Sequence, residues 1–325
     1  MHPAFSVLFL TTLIGAGQGL FLALYTGQFY ALAQLLPAQG ADFYVGGSAL
    51  ALGFLMAGLV ASFFHLGRPE RAWRTATQWR TSWLSREVIV LPAVMGLVAL
   101  YGLAHALALT APWFTLAGIL PVDATLAIGL LGTLAAFALY GATAMIYASV
   151  RFLPEWHSPL TVANFLLLGL ASGFLLAAAY AAWLGNELVT FFGFWAVVAT
   201  GLGLVTRVAS LRRLRRIKPK SSLQTAIGVR HRALIQIAQG ATAGSFNTRE
   251  FFHGASPATL RWVRRLFLLL VFPVPVLLLL VGHALASRWL PVAAFGVQYL
   301  GLLVERWSFF AEARHPQNLY YQGVA

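Results

Sequence analysis

Eight long runs of apolar residues follow one another along the chain, separated by shorter polar segments. Each run is long enough to cross the hydrocarbon core of a bilayer, which takes roughly 20 helical residues. The pattern predicts an all-α, polytopic integral membrane protein with eight transmembrane helices. The predicted spans are 5–36, 45–65, 87–109, 121–148, 160–184, 189–208, 262–286 and 290–310. The first is long enough to tilt or to extend beyond the hydrocarbon core.

The spacing of the runs predicts a single membrane domain over 1–325, with one long loop, 209–261, between the sixth and seventh helices. This loop opens with the basic stretch LRRLRRIKPKSS and continues with apolar residues at partial helical spacing. Those residues are Leu223, Ile227, Leu234, Ile237 and Ala238. Such a segment is typical of a helix lying on anionic lipid or of a docking surface for a partner, and the two uses are compatible.

Composition excludes an ordinary soluble domain. Hydrophobic residues make up 59% of the chain and charged residues only 10%, whereas soluble domains carry about a quarter. The absence of cysteine excludes disulfides, thiolate metal sites and iron–sulfur ligation by this chain. The first apolar run lacks a basic region before it and a cleavage site after it, so it is predicted to be a span rather than a removed leader.

Charge predicts the orientation. All of the 22 Lys and Arg residues except Arg288 fall on the side that carries both termini. The opposite side holds Arg288 with Asp42, Asp123 and Glu187. The positive-inside rule therefore predicts cytoplasmic termini and a multi-pass protein of the inner membrane. Cytoplasmic loops also account for the net charge of +13, so no nucleic-acid partner is expected.

The loop between the second and third predicted spans concentrates polar chemistry. Residues 63–88 read FFHLGRPERAWRTATQWRTSWLSREV. His65 closes the second span and Glu87 opens the third, so antiparallel helices would bring both to one membrane edge. Pro69 suits the start of an interfacial helix that turns tryptophans toward the membrane. Because a quinone needs an apolar slot, hydrogen-bond donors and groups that exchange protons, this loop is a candidate quinone site.

Structural explanations of the same two residues stay open. Ser85 is a suitable N-cap, and a carboxylate at Glu87 would then be stabilised by the helix dipole, by about 0.3–1 kcal/mol. His65 on its own is compatible with an interfacial histidine bonded to a carbonyl. His105 and His283 both lie near the non-cytoplasmic end of their spans, so they offer one possible axial pair for a b-type haem. Apart from that alternative, no metal is expected in this chain.

Four segments carry a family resemblance. They are HPAFSVLFLTTLIGAGQGL at the start, HLGRPERAWRTATQWRTSWLSREV, GSFNTREFFHG at 244–254 and ERWSFFAEARHPQNLYYQ near the end. Together they resemble the membrane anchor subunits of dimethyl sulfoxide reductase-type complexes, and the loop and tail are most like the cytoplasmic sulfite-oxidising branch. The resemblance implies an anchor for an iron–sulfur electron-transfer subunit, which in turn carries a molybdopterin catalytic subunit.

The resemblance also implies the site residues. Its quinone site maps onto His65 and Glu87, with Gly67 and Arg71 in the same region. Arg68, Arg86 and Tyr101 are added because they lie near these residues in the sequence.

The expected activity is electron transfer between the iron–sulfur subunit and membrane ubiquinone or menaquinone during sulfite oxidation. Because the loop lies on the basic side, the partner subunits are expected to dock in the cytoplasm. Three alternatives remain: an anchor of a terminal reductase that oxidises menaquinol, a structural scaffold, and a transporter, which the scarcity of intramembrane charges disfavours.

Overall fold

The computed structural model describes residues 1–118, 120–218, 221–231, 233–235, 237 and 246–320. Most of this chain is helical. The α-helices are α1 Phe5–Leu32, α2 Ala41–Phe63, α3 Trp83–Ala106, α4 Ala124–Ala148, α5 Pro159–Leu184, α6 Val189–Leu214, α7 Leu223–Ile227, α8 Phe246–Glu250, α9 Pro257–Val271, α10 Pro273–Ala284 and α11 Trp289–Ala311. Two 3₁₀ helices cover Pro69–Gln78 and Pro316–Tyr320, and two strands, β1 Phe114–Leu116 and β2 Leu120–Val122, pair antiparallel.

Seven helical segments in the described chain are long and apolar enough to cross a membrane: α1 to α6, and α9 taken together with α10. The prediction of a polytopic helical membrane protein is therefore confirmed. The eighth long helix, α11, has 23 residues and packs against α9, α10 and α5. It is more polar because it carries Gln298, Glu305 and Arg306, so the count of eight spans stays a prediction.

Helices α1 and α5 form the centre of the bundle, and they are buried along most of their lengths. They cross where Gly19 faces Gly173. A Cβ atom added at Gly173 would overlap the backbone of Gly19, so only glycine allows this approach. Small residues at such crossings let membrane helices pack closely, which gains van der Waals contact where lipid supplies no hydrophobic driving force.

The N-terminus and the end of α11 lie at the same end of the bundle, which we call the terminus-bearing face. The Met1 ammonium donates hydrogen bonds to the carbonyls of Ala311 at 3.3 Å and Ala313 at 2.8 Å. Trp156, in the loop between α4 and α5, donates from Nε1 to the carbonyl of Phe309 at 3.1 Å. The ends of α4 and α11 and the starts of α1 and α5 therefore share one face.

Several predicted boundaries were wrong. Helix α1 ends at Leu32 rather than 36, because Gln34 adopts a left-handed conformation with φ of 60°. Residues 120–122 belong to the hairpin of β1 and β2, which departs from the all-α prediction. Helix α4 starts only at Ala124, where the Asp123 carboxylate accepts a hydrogen bond from the Leu126 amide at 2.8 Å.

The seventh helical unit also differs from its prediction. It begins at Pro257, capped by Ser256, and the helix is interrupted at Phe272 between α9 and α10. Pro273 follows directly, and because proline lacks an amide hydrogen it cannot continue the helical hydrogen-bond ladder.

The loop predicted over 209–261 is shorter than expected at both ends. Helix α6 continues to Leu214, and α9 begins at Pro257. The apolar stripe predicted within the loop is helical only from Leu223 to Ile227, because Gly228 ends that helix with φ of 73°. Ala238 lies outside the described residues.

Candidate functional site

The start of α3 determines the surroundings of Glu87. The helix begins at Trp83 because Ser82 is extended and its hydroxyl accepts a hydrogen bond from the Ser85 amide at 3.4 Å. The expectation that Ser85 is the cap was therefore wrong. Glu87 lies in the second turn, past the free amides at the helix start, so the helix dipole alone does not explain a carboxyl group at this position.

The Glu87 carboxyl group is buried inside the bundle, with 7% of the residue exposed. The Thr143 hydroxyl, on α4, donates a hydrogen bond to Glu87 Oε1 at 2.5 Å. A buried carboxyl group is costly unless it is paired or functional. This contact also fixes the direction of the side chain, from α3 toward α4.

His65 follows the end of α2, and its side chain lies at the surface of the bundle. Partial desolvation by neighbouring protein lowers the pKa of the imidazole, so the neutral form is favoured. Helix α2 packs against α3, and the 3₁₀ helix of the intervening loop packs against α3 as well. His65 and Glu87 therefore stand at adjacent helix ends, although no hydrogen bond or ion pair joins them in the described structure.

The loop between them contains the 3₁₀ helix Pro69–Gln78, at the place where an interfacial helix was predicted. Arg68 precedes this helix, and Arg71 lies 3.8 Å from Glu70 as an exposed pair. Gly67 is exposed, and a Cβ atom added there would have no heavy atom within 4 Å. The chain therefore leaves open space where a side chain at Gly67 would be, two residues after His65.

Arg86 connects the end of the loop to α3. Its Nε donates to the carbonyl of Trp79 at 2.9 Å and its Nη2 to the carbonyl of Arg80 at 2.8 Å. Its guanidinium also lies over the Trp83 ring, 4.1 Å from the centroid. Arg86 thus donates hydrogen bonds to two carbonyls of the loop and fixes the course of the loop backbone next to Glu87.

Tyr101 lies away from this region. It is 14 residues beyond Glu87 on the same helix, which corresponds to about 21 Å of rise. Its hydroxyl donates to Gln28 Oε1 at 2.8 Å, and the Gln28 amide donates to Thr125 Oγ1 at 2.5 Å. The structure places Tyr101 in a buried polar network at the opposite end of the bundle.

The two histidines of the haem alternative are in different surroundings. His105 is buried, stacked on Tyr44 with ring centroids 4.3 Å apart and in edge contact with Tyr101 at 4.7 Å. His283 is exposed on α10. No contact joins the two rings within the described chain, which also lacks any group of three or more metal-ligating side chains.

One cluster of functional interest was not anticipated from the sequence. Arg207 and Arg306, which the charge count assigned to the side that carries the termini, are buried together with Glu305. The adjacent Glu305 and Arg306 interrupt the apolar run of α11, and this interruption is the signal that points to them. Intramembrane charges of this kind mark functional sites by default.

Similarity to known proteins extends over the whole chain. The family model of the DMSO reductase anchor subunit (DmsC) matches residues 1–311. The chain is also 66% identical over 325 residues to a sulfite dehydrogenase subunit of Allochromatium vinosum. That alignment covers 100% of both chains.

Proposed function

This chain belongs to the family of DMSO reductase anchor subunits, and from that premise we propose that it is the quinone-reactive anchor of a sulfite-oxidising complex. The observation that carries the proposal is the buried Glu87 carboxyl group at the end of α3 that adjoins His65. The subunit does not itself act on sulfite. It passes electrons between an iron–sulfur partner and ubiquinone or menaquinone.

The residues at this end of the bundle fit a quinone head group. A quinone supplies a two-electron acceptor with two carbonyl oxygens, each of which takes one proton on reduction. The His65 imidazole and the Glu87 carboxyl group lie at neighbouring helix ends and are both able to exchange protons. His65 meets the open side of the site, while Glu87 is held from the interior by Thr143.

The other loop residues play supporting roles. Gly67 keeps space free beside His65, and Arg68 and Arg71 place positive charge at the mouth of the site. Arg86 positions the loop through the carbonyls of Trp79 and Arg80. Tyr101 has a separate, structural role in the polar network at the far end of the bundle.

The partners are an iron–sulfur electron-transfer subunit and a molybdopterin catalytic subunit, docked on the terminus-bearing face. The basic side of the chain coincides with this face, which supports cytoplasmic docking, eight spans and an inner-membrane location. Similarity to the sulfite dehydrogenase subunit of A. vinosum supports sulfite as the substrate of the catalytic partner.

Two substitutions test this function in the assembled complex. We expect His65→Ala and Glu87→Gln to lower sulfite-dependent quinone reduction by about 100-fold, the scale of losing a positioned acid–base group. Dye-linked sulfite oxidation, which bypasses the membrane, is expected to stay at the wild-type level. Glu187→Gln, an exposed carboxyl at the opposite end of the bundle, is the matched control.

Full quinone reduction in both variants would contradict the proposed site and favour a structural scaffold. Loss of the assembled complex in either variant would mean that the substituted residue acts in folding or docking. Quinone reduction and dye-linked oxidation are therefore measured on the same purified preparation.

A further inference from the structure

Four charged side chains are buried together inside the bundle, near the terminus-bearing face. They are Arg207, Glu305, Arg306 and Glu312. Glu305 lies between the two arginines, with its Oε1 2.8 Å from Arg207 Nε and its Oε2 3.2 Å from Arg306 Nη1. Glu312 Oε2 lies 3.8 Å from Arg207 Nη2. We call this group the ion cluster.

The ion cluster reaches toward the surface through Arg264 of α9. Its Nε donates to Glu312 Oε1 at 2.9 Å, and its side chain is partly exposed. Burying several charges is rarely the most stabilising way to hold helices together, because desolvation offsets the attraction between them. Stability alone therefore does not explain the ion cluster, and we expect it to have a further role.

Two small cavities flank the ion cluster. The inner cavity is lined by Arg306 of the cluster and by Thr143, together with polar side chains of α1. The outer cavity is lined by Arg207 and Glu312 and by Glu155, in the loop between α4 and α5. Each has room for about one water and offers polar partners to hold it.

The inner cavity adjoins the proposed quinone site. The Thr143 hydroxyl that donates to Glu87 also lines this cavity. Tyr147, one turn further along α4, stacks on Phe165 with ring centroids 5.5 Å apart, and the Arg306 guanidinium lies 3.8 Å from the centroid of the same Phe165 ring. One hydroxyl group therefore separates the Glu87 carboxyl group from the cavity that touches the ion cluster.

We propose that this arrangement is a proton route between Glu87 and the terminus-bearing face, an inference that rests on the proposed quinone function of Glu87. The route runs from Glu87 through Thr143 to water in the inner cavity and then past Arg306, which lines that cavity, to Glu305, whose Oε2 lies 3.2 Å from Arg306 Nη1. It continues past Arg207, which pairs with both Glu305 and Glu312, to Glu312, water in the outer cavity and Glu155. The arginines keep their protons, so the carriers are the carboxylates, the hydroxyl group and the waters.

The route supplies one of the two protons that the proposed reaction consumes. Reduction of a quinone to a quinol takes two electrons, supplied by the iron–sulfur partner, and two protons. When Glu87 gives up a proton to the acceptor, its carboxylate regains one from water at the terminus-bearing face through the route. His65, at the open edge of the site, transfers the second proton to the quinone. That proton does not pass through the route.

Two variants interrupt the route at different points. Glu155→Gln removes the carboxylate at the outer end of the route, away from the Glu87 side chain. Glu312→Gln removes a carboxylate but leaves Glu305 to pair with the arginines. The control is again Glu187→Gln, and all variants are studied in the complete complex in vesicles.

The measurements are proton uptake in a single turnover, followed with a pH indicator, and the affinity for a quinone analogue. We expect both variants to take up protons about ten-fold more slowly, within the range for losing a positioned proton carrier. Quinone-analogue affinity should stay within about two-fold of wild type, equal to less than about 0.5 kcal/mol. Azide, a small weak acid that carries protons into cavities, should restore the rate.

The outcomes separate this inference from the proposed function. Wild-type proton uptake in both variants, with Glu87→Gln inactive, would overturn the route and leave the quinone site intact. Slow uptake that azide does not restore, together with weakened quinone-analogue binding, would assign the ion cluster a purely structural role and also overturn the route. Full activity of Glu87→Gln would instead overturn the proposed function.

Discussion

Glu87 owes its surroundings to the residue five positions before it. The Ser82 hydroxyl starts α3 one turn earlier than Ser85 would, which carries Glu87 into the bundle beside Thr143. Both serines are good caps by residue type. The choice between them depends on which one is extended at the end of the preceding loop, so the sequence identified Glu87 but not its burial.

Gly67 offers a residue-scale test of where the quinone lies. A methyl group added there meets no atom of this chain, so Gly67→Ala is expected to shift the free energy of unfolding by less than about 1 kcal/mol. If the head group occupies the open space beside His65, the methyl group overlaps it, at a cost of about 1–3 kcal/mol. That cost corresponds to a rise in KM for quinone of about five-fold to about 150-fold.

The matched control for this test is Gly53→Ala. Gly53 is an exposed residue of α2, and an added Cβ atom there is also free of contacts within 4 Å. Steady-state quinone kinetics of the two variants in the purified complex give the comparison. An unchanged KM in Gly67→Ala would move the head group away from this part of the loop.

At the scale of elements, the apolar runs predicted where the long helices lie. Length and hydrophobicity decide this in a bilayer, because backbone groups in lipid must be bonded within a helix. The runs did not predict local backbone events such as the interruption at Phe272 or the left-handed Gln34. Those depend on single residues that a hydrophobicity average does not detect.

Contacts between elements were the least predictable from sequence. The interfacial helix expected after Pro69 is of the 3₁₀ type, and the carbonyls at its end accept hydrogen bonds from Arg86, which lies several residues further on. The ion cluster joins α6 to α11 across about a hundred residues of chain, through Arg207 and Glu305. The charge count predicted on which side of the membrane Arg207 lies, and only the packing of the two helices reveals that it is buried.

For the whole molecule, the charge asymmetry gives a testable orientation. The chain contains no cysteine, so a single introduced cysteine reports topology without background labelling of native cysteines in this chain. We expect Glu187→Cys to react with a membrane-impermeant maleimide in intact spheroplasts. Thr77→Cys, in the exposed loop after α2, should react only after lysis, since the positive-inside rule places it in the cytoplasm.

Labelling in lysed membranes is the control for the accessibility of each introduced cysteine. Reaction of Thr77→Cys in intact spheroplasts would place the loop, and the partner docked on it, on the outer side. Sulfite would then have to be oxidised outside the cytoplasm, and the proposed cytoplasmic docking would be wrong.

The central claim is that quinone binds between the last residues of α2 and the first turns of α3, at His65 and Glu87. The most direct test is photolabelling of the intact complex with an azidoquinone, followed by mass spectrometry of the labelled peptides. We predict label within residues 63–88, lost when excess unlabelled quinone competes. Competed label only near Tyr101, at the far end of α3, or only on one of the partner proteins would contradict the claim.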